Sequence, residues 1–140
     1  MDFGQIGVAA ALALAAVGSA LGAGSAGMAA IGAWKKCFAN NKQAPFMLVV
    51  FVGAPLTQTI YGMILMGALG RSEKEAMIKL GIGILGGIAM GFSAWFQGKS
   101  GAVASDALAE TGKGFGNYII VLGLVETVAL FVMVFSMGVL

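Results

Sequence analysis

Four long stretches that are almost free of charged residues restrict the folds that this chain can adopt. They are residues 3–34, 43–70, 80–98 and 114–140, and only the last contains a charged side chain, that of Glu126. About 20 apolar residues in a helix span the bilayer core, because each adds about 1.5 Å to a thickness of about 30 Å. The sequence therefore predicts an all-α membrane protein with four transmembrane helices and polar connectors near 35–43, 71–76 and 106–114.

The composition argues against several other classes of protein. Of the 140 residues, 59% are hydrophobic and 10% are charged, and a net charge of +2 gives no indication of a nucleic-acid partner. Without histidine and with one cysteine, Cys37, the chain has no ligand set for zinc and no intrachain disulfide. Residues 1–4 lack the basic region of a secretory signal, so we expect the first apolar stretch to be a retained helix.

Two of the predicted helices should extend beyond the stretch that crosses the membrane. The first apolar stretch is longer than a bilayer requires, so its helix should tilt or project from the hydrocarbon. The third stretch ends before Lys99, but small residues follow that lysine and can continue the helix.

Small residues recur at helical spacing in the first and third predicted helices. They are Gly18 with Gly22, Ser19 with Ala23 and Gly27, and Gly83 with Gly87 and Gly91. A spacing of four places such residues on one face, where backbones can approach closely. Either a tightly packed single bundle or an inner layer shared by several copies explains these faces. Because two whole helices have this composition, we favour the shared layer, with the bulkier second and fourth helices outside.

The two halves of the chain resemble each other. Ser25 aligns with Ser100 in similar small-residue segments, and Gln58 aligns with Glu126 in Leu-Thr-Gln-Thr-Ile and Leu-Val-Glu-Thr-Val. We therefore predict a single membrane domain, residues 1–140, built as a duplicated helical hairpin from residues 1–70 and 71–140. Since one half has Gln where the other has Glu, we expect one ionisable site per chain.

Glu126 lies near the middle of its apolar stretch, so a spanning helix would hold the carboxyl near the centre of the membrane. A charge at that depth is costly unless it is protonated, paired or turned towards a polar interior. The sequence offers no lysine or arginine at a similar depth. We therefore expect a mobile ion to neutralise Glu126, and a permanently protonated packing residue is the alternative.

A polar face of the second helix lies at a similar depth. It consists of Ala54, Thr57, Gln58 and Tyr61, at positions i, i+3, i+4 and i+7. Gln97 in the third helix offers another carbonyl, and Pro55 distorts its turn in a way that can aim the carbonyl of Ala54 at a ligand. Neutral oxygens around a carboxylate suit a hard cation, whereas a proton requires only the acid in an apolar pocket. An interhelical hydrogen-bond cluster without a ligand is the third interpretation.

Together these motifs resemble a known family. The glycine-rich duplicated hairpin, Pro-Leu-Thr-Gln-Thr-Ile-Tyr at 55–61, Gln-Gly-Lys at 97–99 and Leu-Val-Glu-Thr at 124–127 resemble the rotor-ring proteolipid (subunit K, c-type) of prokaryotic V-type ATPases, especially the sodium-translocating kind. The resemblance covers nearly the whole chain. It implies a homo-oligomeric ring that is not itself catalytic and that couples ion passage to ATP hydrolysis or synthesis elsewhere in the complex.

The resemblance also implies a site, an ion and partners. The implied site comprises Glu126 as the ion-binding carboxylate, Thr57, Gln58 and Gln97 as side-chain ligands, Ala54 as a backbone ligand, and Tyr61 as a hydrogen-bond donor to Glu126. The implied ion is Na+, with H+ at the same glutamate as the alternative. The implied partners are other copies of the chain, a membrane stator subunit with an essential arginine, a central-stalk subunit and the lipid bilayer of the cell membrane.

Two other functions are less well supported by the sequence. Small multidrug antiporters are also short four-helix proteins with one essential membrane glutamate, but theirs lies in the first helix and they have no duplicated hairpin. A purely structural bundle would leave the polar residues around Glu126 unexplained.

The distribution of basic residues predicts an orientation in the membrane. The first and third connectors with the adjoining Lys99 hold Lys35, Lys36, Lys42, Lys99 and Lys113, whereas the second connector and its flank hold Arg71, Lys74 and Lys79. The positive-inside rule therefore places the first and third connectors in the cytoplasm, where they would face a central stalk.

Overall fold

The computed structural model describes residues 2–140, which are almost entirely helical. Its elements are α1 (Phe3–Ala39), α2 (Leu48–Gly53), a 3-10 turn (Ala54–Leu56), α3 (Thr57–Arg71), α4 (Ala76–Thr111) and α5 (Phe115–Gly138). Because α2, the turn and α3 form one continuous apolar segment, residues 2–140 contain four helices long and apolar enough to cross a membrane. The predicted all-α fold with four such helices is confirmed.

The long helices extend past their uncharged stretches, as predicted. α1 has 37 residues and α4 has 36, both well above the ~20 that a bilayer needs. α4 continues through Asp106 and Glu110, so the connector predicted at 106–114 is wrong in extent and is confined to residues 112–114. Charged residues can mark where a helix leaves the membrane without ending it, because outside the hydrocarbon they are solvated.

Glycines bring α1 and α4 into direct backbone contact within one chain. A Cβ atom on Gly18 would collide with the backbone of Gly91, and one on Gly98 would collide with the backbone of Gly22. Residue numbers rise together along both helices at these contacts, so α1 and α4 run parallel. Close packing inside one chain therefore accounts for these glycines, and the inner layer shared between copies stays a prediction.

The 3-10 turn and α3 each pack against α1, at two points that lie on either side of Gln58. A Cβ atom on Gly62 would lie only 2.7 Å from the Cβ of Ala15, and one on Gly22 would lie 2.9 Å from the Cβ of Pro55. α5 packs against both α3 and α4. The Gln58 side chain is thereby enclosed where the three helices α3, α4 and α5 approach one another.

Candidate ion-binding site

The distortion predicted at Pro55 is present. Pro55 lies within the 3-10 turn that separates α2 from α3, because proline lacks the amide hydrogen that a continuous α-helix requires. The hydroxyl of Thr57 donates to the carbonyl of Ala54 at 2.8 Å and lies 3.1 Å from Oε1 of Gln58. Three neutral oxygens, from main chain, hydroxyl and amide, are thus gathered at the start of α3.

Glu126 on α5 is held by side chains from two other helices. Tyr61 Oη on α3 donates to Oε1 of Glu126 at 2.8 Å, and Gln97 Nε2 on α4 donates to Oε2 at 3.0 Å. Gln97 Nε2 also donates to the main-chain carbonyl of Leu122 at 3.1 Å. Each carboxyl oxygen therefore has one donor, and the partly buried carboxyl has a defined orientation.

Two fully buried amides connect Glu126 with the oxygens at the start of α3. Gln58 and Gln97 are both 0% exposed, and Gln58 Nε2 donates to Gln97 Oε1 at 2.8 Å. Hydrogen bonds therefore run from Gln58 through Gln97 to Glu126, and the oxygen of Gln58 lies beside the Thr57 hydroxyl. All of the side chains involved are uncharged apart from Glu126 itself.

The structure brings together all six residues that the sequence analysis selected. They are Ala54, Thr57, Gln58, Tyr61, Gln97 and Glu126, and hydrogen bonds join them into one cluster. The orientation of Gln97 differs from that of an ion ligand. Its nitrogen, not its oxygen, faces Glu126, and its oxygen accepts from Gln58. Their roles as ion ligands stay predictions.

Two contributors to the cluster were not selected from the sequence. Ser93 Oγ accepts from Gln58 Nε2 at 3.4 Å and donates to the carbonyl of Val125 at 2.8 Å. Its position one turn before Gln97 is a signal that would have found it. The carbonyl of Leu122 has no comparable signal, since every residue carries one.

The charged groups of the described part of the chain do not neutralise Glu126. Within residues 2–140 the one ion pair joins Lys36 and Glu110, which are exposed at the ends of α1 and α4. The same residues contain no group of three or more His, Cys, Asp or Glu side chains that would suit a transition metal. One carboxylate with amide, hydroxyl and main-chain oxygens is instead the kind of donor set that a hard cation prefers.

The hairpin that carries Glu126 has a counterpart in a known family. Residues 80–138 match the family model of the ATP synthase C subunits. The match includes Ser93, Gln97 and Glu126, and it supports a c-type proteolipid of an ATP synthase or ATPase family. A search of the curated proteins finds no match to the chain.

The family match concerns the hairpin that α4 and α5 form. The ATP synthase C subunits are helical-hairpin membrane proteins that form rings, and the match covers α5 and nearly all of α4. In that family the subunit is an ion-translocating component of a rotor ring. Together with four apolar helices, the match indicates a multi-pass membrane protein.

Proposed function

We propose that this chain is the rotor-ring proteolipid of a V-type ATPase and carries Na+ at Glu126 past a stator subunit. The observation that supports this most is the cluster in which two buried amides link the neutral oxygens at the start of α3 to one carboxyl, that of Glu126. The V-type assignment is supported by the duplicated hairpin, in which Gln58 stands where the second half has Glu126. The match to the ATP synthase C subunits supports the rotor ring in general.

In this proposal the cluster replaces the hydration shell of the sodium ion. Ala54, Thr57 and Gln58 supply a main-chain, a hydroxyl and an amide oxygen, and Glu126 supplies the negative charge. A rotation of the Gln97 carboxamide would exchange its nitrogen for its oxygen beside Glu126 and add another ligand. The bound ion neutralises Glu126 while the site faces lipid, and Tyr61 keeps the carboxyl oriented.

Release follows when the site reaches an essential arginine of the stator subunit. Glu126 then pairs with the guanidinium, and the sodium ion leaves because its main counter-charge is occupied. Rotation carries the emptied site to a second access path, where another ion binds. The membrane potential contributes about 2.3 kcal/mol per charge for each 100 mV.

We also propose how copies of the chain assemble. α1 and α4 would line the inside of the ring, since their glycines allow the closest helix packing. α5 would lie outside, because its exposed face carries large apolar side chains suited to lipid, including Leu124, Phe131 and Phe135. A central-stalk subunit would bind the first and third connectors.

Protection from a carboxyl-directed carbodiimide tests sodium binding. The reagent reacts with a protonated acid, so sodium at Glu126 should protect it in a saturable way at fixed pH. Gln97→Ala or Gln58→Ala should raise the sodium concentration for half protection by roughly tenfold, because each variant removes an oxygen from the site. Modification of Glu126 is measured by mass spectrometry of the purified protein.

Gln5→Ala is the matched control, because Gln5 is exposed near the start of α1 and far along the chain from the site. It should leave the sodium midpoint within about twofold of wild type. A reaction that depends on pH and ignores sodium would contradict the sodium proposal. It would favour the alternative, a rotor that carries H+ on the same glutamate.

The proposed orientation requires an engineered thiol, because Cys37 is only 2% exposed and would react poorly on either side. We expect Lys42→Cys in a Cys37→Ala background to react with a membrane-impermeant maleimide in inverted vesicles but not in intact cells. Lys74→Cys in the opposite connector should show the reverse pattern, and both positions are exposed. Labelling of Lys42→Cys in intact cells would reverse the orientation.

A further inference from the structure

Ser93 joins three helices directly beside the candidate site. It is only 5% exposed, and its Oγ atom on α4 contacts Val125 on α5 and Gln58 on α3. Val125 immediately precedes Glu126. Ser93 is therefore placed to influence both the carboxylate helix and the amide network.

The hydroxyl of Ser93 donates to an acceptor outside its own helix, which is unusual for a helical serine. The hydroxyls of Ser25, Ser105, Thr111 and Thr127 all donate to a carbonyl one turn earlier in their own helix. Ser93 instead donates across to the carbonyl of Val125 at 2.8 Å. This bond uses its single proton and ties α4 to α5 next to Glu126.

Because that proton is used, Ser93 can only accept a hydrogen bond from Gln58. Gln58 must then present its NH2 group to Ser93 and to Oε1 of Gln97. The reverse orientation would place the Gln58 oxygen against two acceptors without an intervening hydrogen. The Gln58 oxygen is consequently directed to Thr57, where the neutral oxygens gather.

We propose that Ser93 is a positioning residue of the ion site, which keeps the oxygen of Gln58 directed at the ion. This inference rests on the proposed function, in which Gln58 is a ligand. Rotation of the Gln97 carboxamide replaces its oxygen beside Gln58 Nε2 with its nitrogen, which cannot accept, so Ser93 Oγ is then the remaining acceptor for the Gln58 NH2 group. Without Ser93 the Gln58 carboxamide would lose its preferred orientation when the ion binds.

Substitution of Ser93 tests this role by carbodiimide labelling of the full-length protein in membranes, with sodium chloride as the probe. Ser93→Ala should raise the sodium concentration for half protection of Glu126 by about fivefold, the equivalent of one hydrogen bond. Ser93→Thr keeps the hydroxyl and should restore a midpoint within about twofold of wild type. Oligomer yield is measured for each variant, because a merely structural role would lower the yield without moving the midpoint.

Ser105→Ala is the matched control, since Ser105 is a fully buried serine of the same helix whose hydroxyl donates to the carbonyl of Gly101, one turn earlier. Its sodium concentration for half protection of Glu126 should equal that of wild type. An unchanged midpoint in Ser93→Ala, or an equal shift in Ser93→Thr, would overturn the inference.

The outcome can be separated from failure of the proposed function. If sodium does not protect the wild-type protein, the sodium proposal fails. The rate at which the carbodiimide labels Glu126 at fixed pH then tests the role of Ser93. A disordered Gln58 would no longer hold Gln97 against Glu126, so the labelling rate of Glu126 should change. A rate in Ser93→Ala that differs from both wild type and Ser105→Ala would support the inference, and equal rates would overturn it.

Discussion

Glu126→Gln is expected to abolish sodium transport and to lower sodium affinity by roughly a hundredfold or more, because it removes the only negative charge in the site. The amide has nearly the same shape and can still accept from Tyr61. Folding should therefore be retained while the counter-charge for the ion is lost. The measurement is ATP-driven sodium uptake into vesicles that contain the assembled complex.

Glu110→Gln is the appropriate control for this variant. It makes the same change at an exposed carboxylate that pairs with Lys36 at the end of the helices. Exposed ion pairs contribute little to stability, so transport should stay within about twofold of wild type. Sodium transport by Glu126→Gln above the level of vesicles without the complex would contradict the assignment of the carboxylate.

Gly22→Leu is expected to prevent α1 from packing on α4 and to eliminate the folded protein. Even the single Cβ of Gly22→Ala would meet the backbone of Ala94 and lie 2.9 Å from the Cβ of Pro55. Because neither the backbone of Ala94 nor the rigid ring of Pro55 can move away independently, we expect Gly22→Ala to cost about 1–3 kcal/mol of stability. Thermal unfolding of the purified protein in detergent measures this loss, and the yield of folded protein measures the effect of Leu.

Gly24→Ala is a control on the same helix with the same substitution. A Cβ atom on Gly24 would have nothing within 4 Å, so stability should not fall. Gly87→Leu should fail as Gly22→Leu does, since its Cβ atom would lie 2.7 Å from the carbonyl oxygen of Ala10. If the Leu variants fold as single chains and fail only to oligomerise, the glycines act between copies and the contact within one chain is not decisive.

Much of the fold could be predicted because a membrane places simple demands on a sequence. Apolar length identified four helices, and the depth of Glu126 together with the spacing of Thr57, Gln58 and Tyr61 identified one polar face. The helix end at Thr111 was missed because Asp106 and Glu110 mark the membrane boundary rather than the end of α4.

The details of the hydrogen-bond network could not be predicted from spacing alone. Ser93 lies in a glycine-rich helix, where the sequence does not distinguish it from the small residues that allow close helix packing. Its contact with Val125 depends on the rotation of α4, which glycine contacts such as Gly18 with Gly91 determine. The orientation of the Gln97 amide likewise depends on two acceptors on α5, the carbonyl of Leu122 and the carboxyl of Glu126.

Equilibrium binding of radioactive sodium to the purified oligomer tests the central claim most directly. We expect saturable binding of one sodium ion per chain, because Glu126 is the only carboxylate in the cluster and Gln58 occupies the matching place in the first half. Glu126→Gln should remove this binding. An absence of saturable binding to the wild-type protein, or two ions per chain, would contradict the sodium-carrying rotor proposed for this chain.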